Sequence, residues 1–323
     1  MKTKARSILL AALAVPDARV IEEKSRTKKK QYSAVALLLL GAVSVANADN
    51  VLGPGYTLTD LGPGIAYGIN DAGQVVGDAF GVANVSTATV WNGGVATPLA
   101  ALPGASETVA TGINQAGQVV GYSYYGSSGV SQAVIWNGIT PTALDNPPGA
   151  SSSQANAINS SGQVAGYGPS PGTPAFPIVW NGTVPTLLGA SAGLTGASGA
   201  FGINNTGQVV GINGGVATIW NGTTPTALGT LPSSRGDSVA HAINNKGQAV
   251  GNSTSASGDI ATLWNGTTPT ALGTLPGMQS SLVESINDAG VIVGYATAAP
   301  GAIGPGSLAV IWNGTTPTAL KLT

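Results

Sequence analysis

Apolar and polar positions in this chain follow a short alternating rhythm that restarts every forty-odd residues. Its clearest phase is GINDAGQVVG, Gly68 to Gly77, in which an apolar Ile meets a polar turn and a Val pair closes on glycine. Further copies are GINQAGQVVG (Gly112–Gly121), AINSSGQVAG (Ala157–Gly166), GINNTGQVVG (Gly202–Gly211), AINNKGQAVG (Ala242–Gly251) and SINDAGVIVG (Ser285–Gly294). The isoleucines at 69, 113, 158, 203, 243 and 286 are 44, 45, 45, 40 and 43 residues apart, and a Trp-Asn-Gly follows each copy, with Trp at 91, 136, 180, 220, 264 and 312. A period of this size signals a stacked or ring-closed architecture whose units cannot bury their faces alone.

Each unit divides into four strand-like pieces of 4–8 residues, rich in Val, Ile and Thr and bounded by Gly, Asn or Pro. Piece A is the PTAL segment, B runs into Ile-Asn, C is the QVVG run and D ends at Trp. Between D and A stands Asn-Gly, from Asn92-Gly93 to Asn313-Gly314, a pair suited to the positive φ of a two-residue type I′ turn. Between B and C, the Asn-x-x-Gly segment suits an Asx-turn with glycine in the left-handed position. Both connections therefore read as tight antiparallel hairpins, which a parallel β-solenoid, the alternative, would lack. Proline in piece A (Pro141, Pro185, Pro225, Pro269, Pro317) points to an edge strand. The order from axis to rim is then B-C-D-A, and the chain reads as an all-β, six-bladed β-propeller of four-stranded antiparallel blades. One count is left over: piece A occurs seven times, because Tyr56–Leu61 opens the series and Pro317–Leu320 ends it. The six tryptophans, one per unit beside a hairpin, read as packing between blades; burying each removes about 150–250 Å² from water.

Charge separates two unlike parts. Nine of the twelve Lys and Arg lie in residues 1–48; from Asp49 onward three basic residues face ten acidic ones, a formal charge of 3 − 10 = −7. Such a surface offers no electrostatic footprint for nucleic acid. Residues 28–48, KKKQYSAVALLLLGAVSVANA, have the three regions of a secretory signal, with cleavage expected after Ala48. Their apolar run of about 12 residues is short of the ~20 needed to span a bilayer. Residues 1–27 read as an extended leader or an over-long start, which leaves 49–323 as the six-repeat domain, secreted or periplasmic, with no anchor segment after the last repeat. The chain has no cysteine, which excludes disulfides and thiolate chemistry.

The pattern A-x-x-I-N-x-x-G-Q-V-V-G, then A-V-I-W-x-G, then T-x-L-G-T-L-P-G, over about residues 56–320, resembles the bacterial "extracellular repeat, HAF family" proteins. Where His-Ala-Phe is expected before the Trp, this chain has Gln132-Ala133-Val134, Asp259-Ile260-Ala261 or Leu308-Ala309-Val310. The resemblance implies an exported repeat protein and supplies no activity, catalytic residue or cofactor.

In a propeller of this order, the B–C and D–A turns share one face and hardly vary. The C–D and A–B connections share the other, and variable loops on a rigid scaffold are where binding usually lives. Phe80, Tyr122, Tyr124, Tyr125, Tyr167, Phe176 and Tyr295 lie on or beside C–D segments. Tyr124 and Tyr125 are the first candidates for stacking on sugar rings, followed by Tyr122, Tyr167, Tyr295 and Phe80. Tyr122, Tyr167 and Tyr295 directly follow the C-strand glycine and could equally extend that strand and pack. Two residues before each repeated Ile stand Tyr67, Thr111, Asn156, Phe201, His241 and Glu284, either a mixed ring at the axis or filler between blades. Glu107, Asp237 and Glu284 are possible acidic contacts. Sugar hydrolysis needs two facing carboxylates, and no repeating pair stands out. A single histidine, His241, cannot build a His-rich zinc site. The Asn-Asp-Ala-Gly turns at 70–73 and 287–290 lack the acidic ladder of a calcium loop. The expected function is therefore non-enzymatic binding of a carbohydrate or envelope polymer through the variable face. A polysaccharide hydrolase or lyase, or a matrix protein without a specific site, are the alternatives. No metal or cofactor is expected.

Overall fold

In the computed structural model, the residues described are 6–11, 18–23, 35–38, 56–81, 85–126, 128–170, 173–189, 198–299 and 307–320, and no helix occurs among them. Four strands come before the first repeat: β1 (Arg6–Ala11), β2 (Ala18–Glu23), β3 (Val35–Leu38) and β4 (Tyr56–Gly62). Blade 1 is β5 (Gly64–Ile69), β6 (Gln74–Phe80), β7 (Ser86–Asn92) and β8 (Val95–Pro98). Blade 2 is β9 (Glu107–Ile113), β10 (Val119–Tyr125), β11 (Val130–Asn137) and β12 (Thr140–Ala143). Blade 3 is β13 (Gln154–Ile158), β14 (Val164–Ser170), β15 (Thr173–Asn181) and β16 (Val184–Leu187). Blade 4 is β17 (Ser198–Ile203), β18 (Val209–Asn213), β19 (Val216–Asn221) and β20 (Thr224–Ala227). Blade 5 is β21 (Ser234–Ile243), β22 (Gln248–Ser255), β23 (Asp259–Asn265) and β24 (Thr268–Ala271), and blade 6 is β25 (Ser280–Ile286), β26 (Val291–Thr297), β27 (Ser307–Asn313) and β28 (Thr316–Ala319).

Each blade is four consecutive antiparallel strands in the order B-C-D-A, and the six blades stand in a ring as a β-propeller. Successive B strands are neighbours at the axis, and the A strands lie at the rim with mostly exposed residues. The seventh copy of piece A finds its place here. It is β4, the outer strand of a separate four-stranded sheet ordered β3-β1-β2-β4. In that sheet β3 neighbours the last blade and β1 neighbours β5 of the first, so the sheet stands where the ring passes from blade 6 to blade 1. β1 and β2 fall in the segment 1–27 and β3 in the apolar run of 28–48; the expected cleavage point at Ala48 lies outside the described residues.

Both expected hairpins form, one of them displaced. The D–A ladder extends to Asn137↔Thr140, so the two loop residues are Gly138 and Ile139, not Asn137 and Gly138. The glycine comes first in the loop with φ +61°, and in blade 1 both loop residues, Gly93 and Gly94, have positive φ at +58° and +82°, as a type I′ turn needs. Asparagine was misplaced because it tolerates the turn conformation but here still has a ladder partner. In the B–C turns the asparagine does more than close its own loop. Asn114 Oδ1 accepts the backbone N–H of Ala116 and Gln118, at 3.1 and 3.0 Å. Its Nδ2 donates to Gln118 Oε1 at 2.8 Å and to the carbonyl of Asn159, in the next blade, at 3.1 Å. The same inter-blade bond runs from Asn70 to Asn114, Asn159 to Asn204, Asn204 to Asn244 and Asn244 to Asn287. A satisfied amide on this face both shapes each turn and pins it to its neighbour.

Tryptophan joins the blades at the rim. Every Trp is at most 1% exposed. Trp136 Nε1 donates to the Ala100 carbonyl at 2.7 Å and Trp180 Nε1 to the Asp145 carbonyl at 2.8 Å, in each case just past the outer strand of the preceding blade. Trp91 does the same to Leu61 in β4 at 3.0 Å, so the extra outer strand serves blade 1 as the other outer strands serve theirs.

Candidate functional site

The residue two before each repeated isoleucine sits at a β-bulge. The B–C register slips between Ala66 and Gly68, Ala155 and Ala157, Ala200 and Gly202, Ala240 and Ala242, and Val283 and Ser285, and blade 2 slips at the matching place. Tyr67, Asn156, Phe201, His241 and Glu284 are the residues skipped, and Thr111 stands at the corresponding position. A bulge frees one side chain from the ladder and re-aims it. It also explains the glycine that ends QVVG. A Cβ at Gly121 would overlap the carbonyl of Val109, and one at Gly77, Gly166, Gly211, Gly251 or Gly294 would meet the equivalent carbonyl, so the bulge requires glycine opposite it.

The freed residues both bridge blades and line the axis. Thr111 Oγ1 donates to the Ala155 carbonyl at 2.8 Å, and Asn156 Nδ2 to the Ala200 carbonyl at 2.7 Å. Phe201 meets His241 with ring centroids 6.2 Å apart, and Tyr167 packs edge-on against Phe201 at 6.5 Å. Asn252 Oδ1 accepts the Val283 N–H at 2.9 Å, which turns its Nδ2 toward His241 Nε2 at 3.1 Å. His241 Nε2 is therefore the acceptor, and burial lowers this histidine to about 4, leaving it neutral at pH 7. Glu284 is open to solvent yet crowded by protein, as a group at a narrow axis would be. That crowding raises it to about 7, and neither Glu107 nor Asp237 contributes to the shift.

The most unusual group lies one step farther along strand C. The position after the C-strand glycine holds Tyr122, Tyr167, Ile212, Asn252 and Tyr295, and in blade 1 it holds Asp78. Asp78 is 3% exposed. Its Oδ2 accepts the Ser86 hydroxyl at 2.9 Å, while Oδ1 is buried without a hydrogen-bond partner. Tyr67 turns its hydroxyl toward this carboxylate without completing a hydrogen bond to Oδ1. Burial raises the Asp78 carboxyl most, and nearby Glu107 adds to the rise against the lowering effects of Ser86, the Asp78 backbone amide and Tyr67. Asp78 in turn raises both Tyr67 and Tyr122, after the larger effect of their own burial. Among the described side chains no lysine or arginine acts on Asp78. The carboxylate is closely covered but shallow, the reverse of Glu284.

The expected site residues divide between several places. Tyr124 is the cross-strand partner of Glu107, with Tyr122 two residues along the same face, so these three gather on blade 2 beside Asp78. Tyr122 also senses Tyr167 of blade 3, whose hydroxyl donates to Gln154 Oε1 at 2.6 Å. Tyr125 turns to the other face of β10, with its ring beside Gly104. Tyr295 packs on the core of blade 1, and Glu284 and Asp259 add to the rise that its burial causes. Phe80 is half-buried at the end of β6, and Asp237 is exposed in blade 5. Asp78 escaped the sequence reading although it occupies the same slot as three tyrosines already singled out. Among the described residues, no group of three or more His, Cys, Asp or Glu is placed to hold a metal.

No family model matches the chain, and no curated protein matches it. Among solved structures, the chain is similar to the β-propeller domain of the Trilobed protease from Pyrococcus furiosus, described as having an open velcro topology. That match has a TM-score of 0.56 at 9% identity and covers 98% of each chain. A mutant of AofleA from Arthrobotrys oligospora matches with a TM-score of 0.43 at 13% identity, over 78% of this chain and 84% of that one. At such identities the first likeness bears on the fold alone.

Proposed function

We propose that this β-propeller is an exported, non-enzymatic protein that binds a carbohydrate or envelope polymer on its C–D loop side. The observation that supports this reading is the run of rings across successive blades: Tyr67, Tyr122, Tyr167, Phe201 and His241, linked by electrostatic or ring contacts. Aromatic faces with adjacent hydroxyl and amide groups suit the alternating apolar and hydroxylated surfaces of a sugar. The opposite face has its asparagines committed to the ring itself. Glycan-array binding of the full chain is expected, with affinity lowered at least tenfold by the double substitution Tyr122→Ala and Tyr124→Ala, which share one face of β10. Array binding unchanged in that variant would remove both tyrosines from the site.

Export rests on the lysine-led apolar segment 28–48. The secreted protein is expected to begin near Asp49 by N-terminal sequencing, and a mature chain that still carried residues 28–48 would overturn this part of the reading. Cleavage there removes β1, β2 and β3 and leaves β4, so the same experiment tells whether the β3-β1-β2-β4 sheet belongs to the working protein.

A further inference from the structure

We propose that Asp78, flanked by Tyr67, Tyr122 and Glu107, is a subsite for a protonated primary amine carried by the ligand. This rests on the reading of that side as the binding side and specifies its chemistry. Three observations meet at one place. Asp78 Oδ1 is an acceptor at 3% residue exposure that no donor meets in full hydrogen-bond geometry, the Tyr67 hydroxyl and the Asp78 amide only approaching the carboxylate. A second carboxylate, Glu107, is close enough to act on the first. Among the described side chains no base answers them: the bases among these are Arg235 and Lys246, both in blade 5.

A buried acceptor without a donor is costly, and a buried charge without a counter-charge more so. A neutral hydroxyl would supply the missing hydrogen bond but leave both carboxylates uncompensated. An anionic ligand would be repelled. An ammonium group donates to Oδ1 and offsets the charge together, and the nearby Tyr67 and Tyr122 hydroxyl oxygens can accept its remaining hydrogens. A calcium ion would need six to eight oxygen ligands, more than two carboxylates and a serine hydroxyl provide. Tyr67, 38% exposed and turned toward the carboxylate, is the side chain whose movement admits the ligand. The groups facing Asp78 are Tyr67, Tyr122, Glu107 and Ser86, so amine binding weakens as pH falls and the raised Asp78 carboxyl takes up a proton.

The test is calorimetric titration of the full chain at pH 7 with glucosamine, putrescine, glucose, N-acetylglucosamine and calcium chloride. Glucosamine is expected to bind at least tenfold more tightly than glucose or N-acetylglucosamine. Binding of putrescine as well would identify a free amine as sufficient, and its failure would identify an amino sugar; either outcome supports the site. Asp78→Asn keeps the shape and the Ser86 partner, so it should fold with an unchanged or higher melting temperature and lose the amine preference. A purely structural Asp78 would instead lower the melting temperature and leave the preference intact. Tyr67→Ala, which leaves Asp78 in place, is expected to weaken amine binding too. Asp288→Asn, the same charge change on the turn face, should leave it unaltered. Equal binding of glucose and glucosamine would overturn the amine subsite while sparing the glycan reading. Putrescine binding without any sugar would do the reverse. Calcium as the only ligand bound, or none bound at all, would overturn the proposal.

Discussion

Replacing Asn159 by aspartate lowers stability by about 3–5 kcal/mol at neutral pH, the range for an uncompensated buried charge, and by about 1–3 kcal/mol in acid. Asn159 is 3% exposed. Its Oδ1 accepts the N–H of Ser161 and Gln163, at 3.1 and 2.9 Å, and an aspartate can keep both bonds. Its Nδ2 donates to Gln163 Oε1 at 2.8 Å and to the Asn204 carbonyl at 3.1 Å, where a carboxylate would set oxygen against oxygen. Gln163 can rotate its amide to become a donor; the Asn204 carbonyl cannot. The new carboxyl therefore has a folded pKa above its unfolded value. The part of the penalty due to charge is absent below the unfolded pKa, where a protonated oxygen can donate one of the lost bonds, and it grows as pH rises through the folded pKa. Urea unfolding of variant and parent at pH 7 and pH 3.5 measures it. A difference that is small at pH 7, or equal at the two pH values, would mean that the inter-blade amide bond contributes little.

Trp180→Ala is the second large effect, at about 4–5 kcal/mol. The side chain is fully buried in the core shared by blades 2 and 3, among Val120, Ala133, Leu144 and Val164. Its removal also leaves the Asp145 carbonyl without the indole donor, which adds about 1 kcal/mol. Against a total of roughly 5–15 kcal/mol for a domain, one such change takes much of the margin. Trp180→Phe separates the two contributions, since it keeps most of the volume and loses the hydrogen bond; about 1–3 kcal/mol is expected. Guanidinium unfolding followed by far-UV circular dichroism gives all three stabilities. A loss below 2 kcal/mol for the alanine variant would contradict a rim held together by tryptophan.

Much of the ring was legible because its causes are local and repeated. Asn-x-x-Gly, the Gly of each D–A turn and the proline of each outer strand act within a few residues, and their recurrence multiplied the signal. The one-residue displacement of the D–A turn shows the limit: Asn137 has the chemistry of a turn residue, and only the ladder partner Thr140 places it in a strand. The bulges left a trace in the glycine after QVV, which reads as ordinary strand punctuation until the Val109 carbonyl is seen above it. Asp78 was hidden for a different reason. Its significance is the absence of a donor at Oδ1, and an absence in three dimensions has no spelling in one. Tyr122, Tyr124 and Glu107 were each visible singly; strand register made neighbours of them.

Every blade is four consecutive strands, so among the described residues no strand from one end of the chain is woven into a blade made by the other. Tension applied to the two termini therefore meets no interlocked clasp. It peels terminal modules away in turn, and a repeat of 44 residues releases about 150 Å of slack at ~3.5 Å per residue. The same uncoupling lets a gene gain or lose one module without rethreading the others, provided that each newcomer brings its asparagine for one neighbour and its tryptophan for the other.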